Sequence, residues 1–283
     1  MEWIERLNDA IRFIEDHLTD EIGYQELAKI AGCSAYHFQR MFAYMAGMPL
    51  SEYIRRRKMS LAAVDLQSGD EKIIDIALKY GYNSPTAFNR AFQSVHGIAP
   101  SLVKNEGASV KSFPPIKFTI MVKGAQEMNY RIEKKEEIRI VGMAKPMYAE
   151  LEKNFEIVPQ MWQEAAVTGL IPKLAGMMNS QPMGILGVCD CNDPEHGRYY
   201  IAVATSAEAK EGMEEHVIPS FTWAIFPGEG VCPQAIQELE QRIVTEWLPT
   251  SGYEYDNGPD IEVYLEPDPQ NSKFEVWIPV VKK

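Results

Sequence analysis

The chain repeats a helix–turn–helix pattern on itself about fifty residues apart, and this duplication constrains the fold more than any other feature. In the first copy Ala28 stands four residues before Gly32, followed by Phe38, Arg40, Phe42, Gly47 and Pro49. In the second, Ala77 stands four before Gly81, followed by Phe88, Arg90, Phe92, Gly97 and Pro100. A small residue, a glycine turn and an amphipathic second helix are what two closely crossing helices require. Two such units in tandem can set a helix into each of two successive major grooves. The pattern therefore predicts a DNA reader that has no need to dimerise.

Apolar spacing separates an inner from an outer face in each copy. Glu26–Ala31 reads as a support helix, Gly32 as its turn, and Ser34 as the cap of a helix running to about Met45. Phe38, Met41, Phe42 and Met45 fall at i, i+3, i+4 and i+7 and are expected to face the core. Tyr36, His37, Gln39 and Arg40 are left outward, where glutamine suits adenine and arginine suits guanine or phosphate. In the second copy Ser84 caps a helix with Pro85 at its first position. There Phe88, Ala91, Phe92 and Val95 form the inner stripe, and Thr86, Ala87, Asn89 and Arg90 are the outward, DNA-reaching set. Leu50–Leu66 reads as one connecting helix that fixes the spacing of the readers, and Trp3–Leu18 as an amphipathic helix packed on the first copy.

A net charge of −12 opposes phosphate binding until its distribution is read. Residues 1–104 hold 12 Lys and Arg against 13 Asp and Glu, net −1, whereas residues 105–283 hold 16 against 27, net −11. Arg40, Arg55, Arg56, Arg57, Lys58 and Arg90 cluster in or beside the repeats, and screening beyond ~8–10 Å makes local sign decisive. The four cysteines (Cys33, Cys189, Cys191 and Cys232) form neither a disulfide framework nor a paired zinc signature. Cys189 and Cys191 with Asp190, Asp193 and His196 hint at a metal, but a second ligand pair is missing, so no metal and no cofactor is expected. No apolar run reaches the ~18–20 residues of a membrane span, and Met1-Glu2-Trp3-Ile4-Glu5 begins no signal peptide, which predicts a cytoplasmic protein with no membrane partner.

Beyond the repeats, residues 106–127 carry Gly107, Pro114, Pro115 and Gly124 and read as a linker with one short extended segment, Ile116–Val122. From Met128 on, strands and helices alternate. Strands are expected at Asn129–Glu133, Glu137–Met143, Met183–Cys189 and Arg198–Ala204 with a helix at Phe155–Thr168. A similar order recurs with strands at Phe221–Phe226, Asp260–Glu266 and Phe274–Val280 and a helix at Pro233–Leu248. The fold class is thus multidomain, an all-α tandem helix–turn–helix domain over 1–105 and an α+β domain of two β–α–β–β halves over 128–283. A ligand would sit between the halves. Along Ile261–Glu266 the period-two alternation puts Ile261, Val263 and Leu265 on one face, Glu262, Tyr264 and Glu266 on the other. If the apolar face packs under the helices, Glu262 and Tyr264 face the cleft, with Trp223 and Trp277 as candidate walls. A carboxylate among aromatic rings suits a flat or amphipathic cation.

The strings FQRMF and FNRAF, and above all YGYNSPTAFNRAFQSVHGIAPSLVK, resemble the AraC-type transcription regulators over about residues 4–104. That resemblance implies that the helices beginning near Ala35 and Pro85 enter adjacent major grooves of promoter DNA. Tyr36, Gln39, Arg40, Thr86, Ala87, Asn89 and Arg90 are the expected contacts, although some relatives carry tryptophan where Tyr36 stands. MNYRIEKKEEIRIVGMA, EWLPTSGYEYDNGPDIEVYLEPD and FEVWIPV are similar to GyrI-like effector-binding domains over about 128–283, which implies a pocket in which Glu262 is the acidic residue. The combined expectation is a ligand-responsive, sequence-specific regulator whose partners are promoter DNA, a small-molecule effector and RNA polymerase. Two alternatives remain: a hydrolase in which Glu262 activates water, and an interaction module using the acidic half. The histidines (His17, His37, His96, His196 and His216) lie in no recognisable catalytic motif, so an enzyme is not expected.

Overall fold

A computed structural model of the chain describes residues 2–69, 71–105, 107–119, 127–149, 151–191, 196–266, 268 and 270–283. The chain divides into two compact units, one formed by Met1–Gly32 with Ala46–Ile120 and the other by Cys33–Met45 with Met121–Lys283.

The first unit is helical, with α1 (Glu2–Asp16), α2 (Tyr24–Ala31), α4 (Leu50–Ser68), α5 (Ile73–Lys79) and α6 (Pro85–His96). Helix α3 (Ala35–Ala46) falls almost wholly in the second unit. Both expected turns form: Gly32 (φ 74°) and Gly81 (φ 84°) adopt the left-handed conformation that a side chain disfavours. Ser84 caps α6 by accepting from the Ala87 amide, with Pro85 in the first turn. Phe88, Phe92 and Val95 of α6 pack on Met59, Ala62 and Leu66 of α4, with Ile76 and Ala77 of α5 closing the cluster. The core of the second helix–turn–helix is therefore the apolar stripe read from its spacing.

Two expectations change here. The basic run on α4 is engaged in part internally: Arg57 binds the Glu15 carboxylate (2.6 Å) and the Phe113 carbonyl, and Lys58 donates to the Tyr80 carbonyl (3.4 Å), whereas Arg55 and Arg56 pair with Glu52 of the same helix and Arg55 stays exposed. The segment expected as a linker is, over residues 107–119, a strap on the helical unit. Phe118 exchanges two hydrogen bonds with the Asn8 side chain (2.8 and 3.0 Å), the Phe113 amide bonds Ser60 and the Ile116 amide bonds Tyr53. No strand forms over its described part, because those amides are committed to side chains; residues 120–126, and with them Gly124, lie outside the described residues.

The second unit carries a nine-stranded antiparallel sheet: β1 (Arg131–Lys135), β2 (Ile138–Pro146), β3 (Ile185–Asp190), β4 (Arg198–Ala204), β5 (Glu214–Ile218), β6 (Phe221–Gly230), β7 (Tyr253–Tyr255), β8 (Asp260–Tyr264) and β9 (Ser272–Lys282). Helices α7 (Leu151–Val167), α8 (Leu170–Ala175) and α9 (Gln234–Arg242) complete it. The main path β1-β6-β9-β8-β3-β4-β2-β5 reads the same from either end once the halves are matched. One half is β2-α7-β3-β4, the other β6-α9-β8-β9, and each sends an arm (β5 and β1) to the outer edge of a long strand, β5 to β2 and β1 to β6. The duplicated β–α–β–β order is thus present, with the halves joined where β3 pairs β8.

Candidate functional site

Register decides what faces the join. Glu262 of β8 lies opposite Gly187 of β3 and Val276 of β9, and Ile261 lies opposite Val188 and Trp277. Paired residues share a face, so Glu262 and Tyr264 belong to one side of the sheet and Ile261, Val263 and Trp277 to the other. The expectation that the apolar face packs under the helices is reversed. Helix α7 covers the Glu262 side, its Trp162 ring 4.8 Å from that of Tyr264. The opposite side is a core built of strand side chains alone, among them Trp223, Trp277, Ile140, Val188 and Tyr200. Trp223 is fully buried and Trp277 nearly so, their rings 5.8 Å apart, so both belong to that core and not to the cleft.

The aromatic wall comes instead from Trp162 and Tyr199, neither of which period-two reasoning on one strand could supply. Tyr264 donates to Glu262 Oε2 at 2.8 Å, Tyr199 does so at 3.4 Å, and the Trp162 indole donates to the Tyr199 hydroxyl at 3.0 Å. Gly187 provides the floor: a Cβ there would overlap the Tyr199 hydroxyl and come within 2.9 Å of Glu262 Oε2. Gly187→Ala is accordingly expected to push Tyr199 off the carboxylate and lower affinity for any occupant of this box about tenfold, measured by titration of ligand into both proteins. Loss of water, and next the nearby Glu240, push the Glu262 carboxyl up to about 7 against the hydrogen bonds of the two tyrosines.

Helix α3 completes the site. Tyr36 packs on the cluster that contains Met161, Leu174 and Cys189. Gln39 donates to the Ala149 carbonyl (2.8 Å) and accepts from the Leu151 amide (3.4 Å). Arg40 binds Asp260 Oδ2 at 2.5 Å and also pairs with Glu240, whose other oxygen accepts from Tyr44 at 2.6 Å. His37 reaches Asp260 Oδ2 at 3.3 Å and stacks on Tyr255, ring centres 4.3 Å apart. Burial by itself would raise the Asp260 carboxyl, but His37 and then Arg40 outweigh it and hold the group below its usual range. Sequence spacing put Tyr36, Gln39 and Arg40 outward; here Gln39 is 4% and Arg40 8% exposed, both buried against the α+β domain. In α6, by contrast, Thr86, Ala87, Asn89 and Arg90 are all exposed.

Among the described residues no cluster of three or more metal-ligating side chains occurs. Of the Cys189 set, Asp190 pairs with His216 at 3.0 Å, and Asp193 lies outside the described residues.

A tandem helix–turn–helix pair in one chain with a duplicated ligand-binding sheet domain defines a ligand-responsive transcription regulator. The profile of the integron-associated effector binding protein family matches residues 131–280, and that of a helix-turn-helix domain matches 27–106. The chain belongs to the AraC-type helix–turn–helix regulators that carry this effector-binding domain. It is 40% identical over 98 residues to the HTH-type transcriptional activator AarP of Providencia stuartii, covering 35% of this chain and 73% of that one. To the right origin-binding protein of Escherichia coli it is 25% identical over 294 residues, 97% of each chain. The structure of SAV2435 bound to tetraphenylphosphonium is similar over 54% of this chain and 94% of that one, with 21% identity and a TM-score of 0.48. No described helix is long and apolar enough to cross a membrane.

Proposed function

We propose that α3 and α6 read promoter DNA through Tyr36, Gln39, Arg40, Thr86, Ala87, Asn89 and Arg90, and that the box around Glu262 binds a small aromatic cation that changes DNA occupancy. Similarity to an activator supports recruitment of RNA polymerase as the output. The observation that carries the effector class is Glu262 itself: a desolvated carboxyl whose Oε2 accepts from two neutral hydroxyls, with Trp162 and two tyrosine rings around it. Such a group gains most from a cation that is weakly hydrated and flat enough to lie against rings. Binding alone is asked of the site, so a bound compound is expected to be recovered unchanged after long incubation.

The test is titration of tetraphenylphosphonium into the full chain, followed by tryptophan fluorescence. Glu262→Gln is expected to weaken binding by about tenfold or more, the scale of one lost charge contact in a partly dry site. The sign of the pH dependence follows from the raised carboxyl. The carboxylate is the binding form and its fraction falls below about 7, so affinity at pH 6 is expected to be about tenfold lower than at pH 8. Glu262→Gln should abolish that slope. Equal affinity in both proteins, or a slope retained in the variant, would defeat the assignment.

A further inference from the structure

We infer that Asp260 and Glu240 form a guanidinium seat, held here by the chain's own Arg40, and that an aromatic ligand bearing an amidinium or guanidinium group takes this seat and releases α3. The aromatic half of such a ligand rests on the effector reading of the Glu262 box above.

Three observations carry the inference. First, the seat is a built polar site: Asp260 is 4% and Glu240 6% exposed, and the planar Arg40 head lies between them. Two carboxylates this dry require a cation, so a departing Arg40 leaves a strong vacancy for another planar donor. Second, Arg40 fills the seat incompletely. Asp260 Oδ1 is buried and accepts no hydrogen bond among the described residues. An amidinium can give one N–H to each oxygen of the same carboxylate, an arrangement in which Oδ1 gains the donor it lacks. Third, Asp260 and Glu262 stand two residues apart on β8, hence on the same face and about 7 Å apart along the strand. One rigid molecule can therefore lay its rings against Trp162 and Tyr264 and its charged end on Asp260.

The consequence for DNA follows from α3. Its Gln39 amide and Arg40 head cannot meet base edges while they bind Ala149, Leu151, Asp260 and Glu240. The docked arrangement and the DNA-reading arrangement of α3 exclude each other. A ligand that competes with Arg40 binds only the undocked arrangement and shifts the population toward it.

The test is hydrogen–deuterium exchange of residues 33–45 in the full chain. Without ligand, the double substitution Asp260→Asn with Glu240→Gln is expected to speed exchange there by about tenfold, since the docked helix loses its charge partners. In the unsubstituted chain biphenyl-4-carboxamidine should do the same, and the neutral isostere biphenyl-4-carboxamide should not. Unchanged exchange in the double variant, or equal action of amidine and amide, overturns the inference. Should the double variant lose its cooperative melt, Gln39→Ala replaces it, with an expected acceleration of about threefold from two lost hydrogen bonds; unchanged exchange again overturns it. The ligand-free arm is independent of the effector reading. Glu262-dependent binding of tetraphenylphosphonium with no effect of the double substitution would sink only this inference. Release by the double substitution without Glu262-dependent binding would sink only the effector reading.

Discussion

Arg40→Ala is expected to lower the stability of the sheet-containing unit by about 3–5 kcal/mol at pH 7, because it leaves Asp260 and Glu240 buried without their shared cation. His37 and Tyr44 remain as partners, on Asp260 and Glu240 respectively, and soften the loss without neutralising two carboxylates. The pH dependence distinguishes this from simple loss of packing. In the unsubstituted chain Asp260 is held below its usual range. Its stabilisation is therefore present above the unfolded value of about 3.9 and lost as pH falls through the lower folded value. Without Arg40 burial is opposed on Asp260 chiefly by His37, so the carboxyl is expected to rise from its depressed value and the variant to lose less stability than the unsubstituted chain as pH falls. Thermal melts at pH 7 and pH 4.5 check this: the gap between the two proteins should narrow at the lower pH. Arg90→Ala is the matched control. Arg90 is exposed on α6, so its melt should be unchanged while specific DNA affinity falls by about 1–3 kcal/mol. Arg40→Ala, which on the proposed reading removes a DNA contact and the docking contact together, should lose less DNA affinity than Arg90→Ala. A larger loss would mean that docking does not compete with DNA.

Trp223→Ala is expected to cost about 3–5 kcal/mol, the usual range for emptying a fully buried large aromatic site. The ring meets Trp277 at 5.8 Å and Phe221 at 5.7 Å, and the cluster's buried members come from strands, whose paired backbones resist collapse into the cavity. Trp223→Phe should leave the affinity for the cation of the proposed reading within about twofold, because the side chain lies on the face opposite Glu262. Chemical denaturation and ligand titration on the two variants separate the roles. A large affinity loss in the phenylalanine variant would restore Trp223 to the cleft.

These expectations mark where sequence reasoning reached its range. The second helix–turn–helix was legible throughout, since Ser84, Pro85, the turn at Gly81 and the Phe88–Phe92–Val95 stripe are local devices that act within one or two turns of helix. On β8 alternation separated Glu262 and Tyr264 from Ile261 and Val263, but which face the helices cover is set by pairing with β3 and β9. Trp162 and Tyr199 were missed because they reach the Glu262 site from elements about a hundred and about sixty residues upstream, respectively, and no spacing rule spans those distances. Within the basic run Arg55–Lys58, only the structure shows that Arg57 is taken up by Glu15 and the Phe113 carbonyl while Arg55 stays on an exposed helix face.

The amino-acid pattern alone determined the two-part architecture, the duplicated halves in each part and the exposed face of α6, because hydrophobic period and turn chemistry act over a few residues. Only the tertiary structure decided that α3 lies with the α+β domain, that Arg40 occupies Asp260 and Glu240, and that the tryptophans at 223 and 277 belong to the far core. Those outcomes depend on which distant charges and faces meet, and Coulomb and desolvation energies are settled by distance and burial in space, not by separation along the chain.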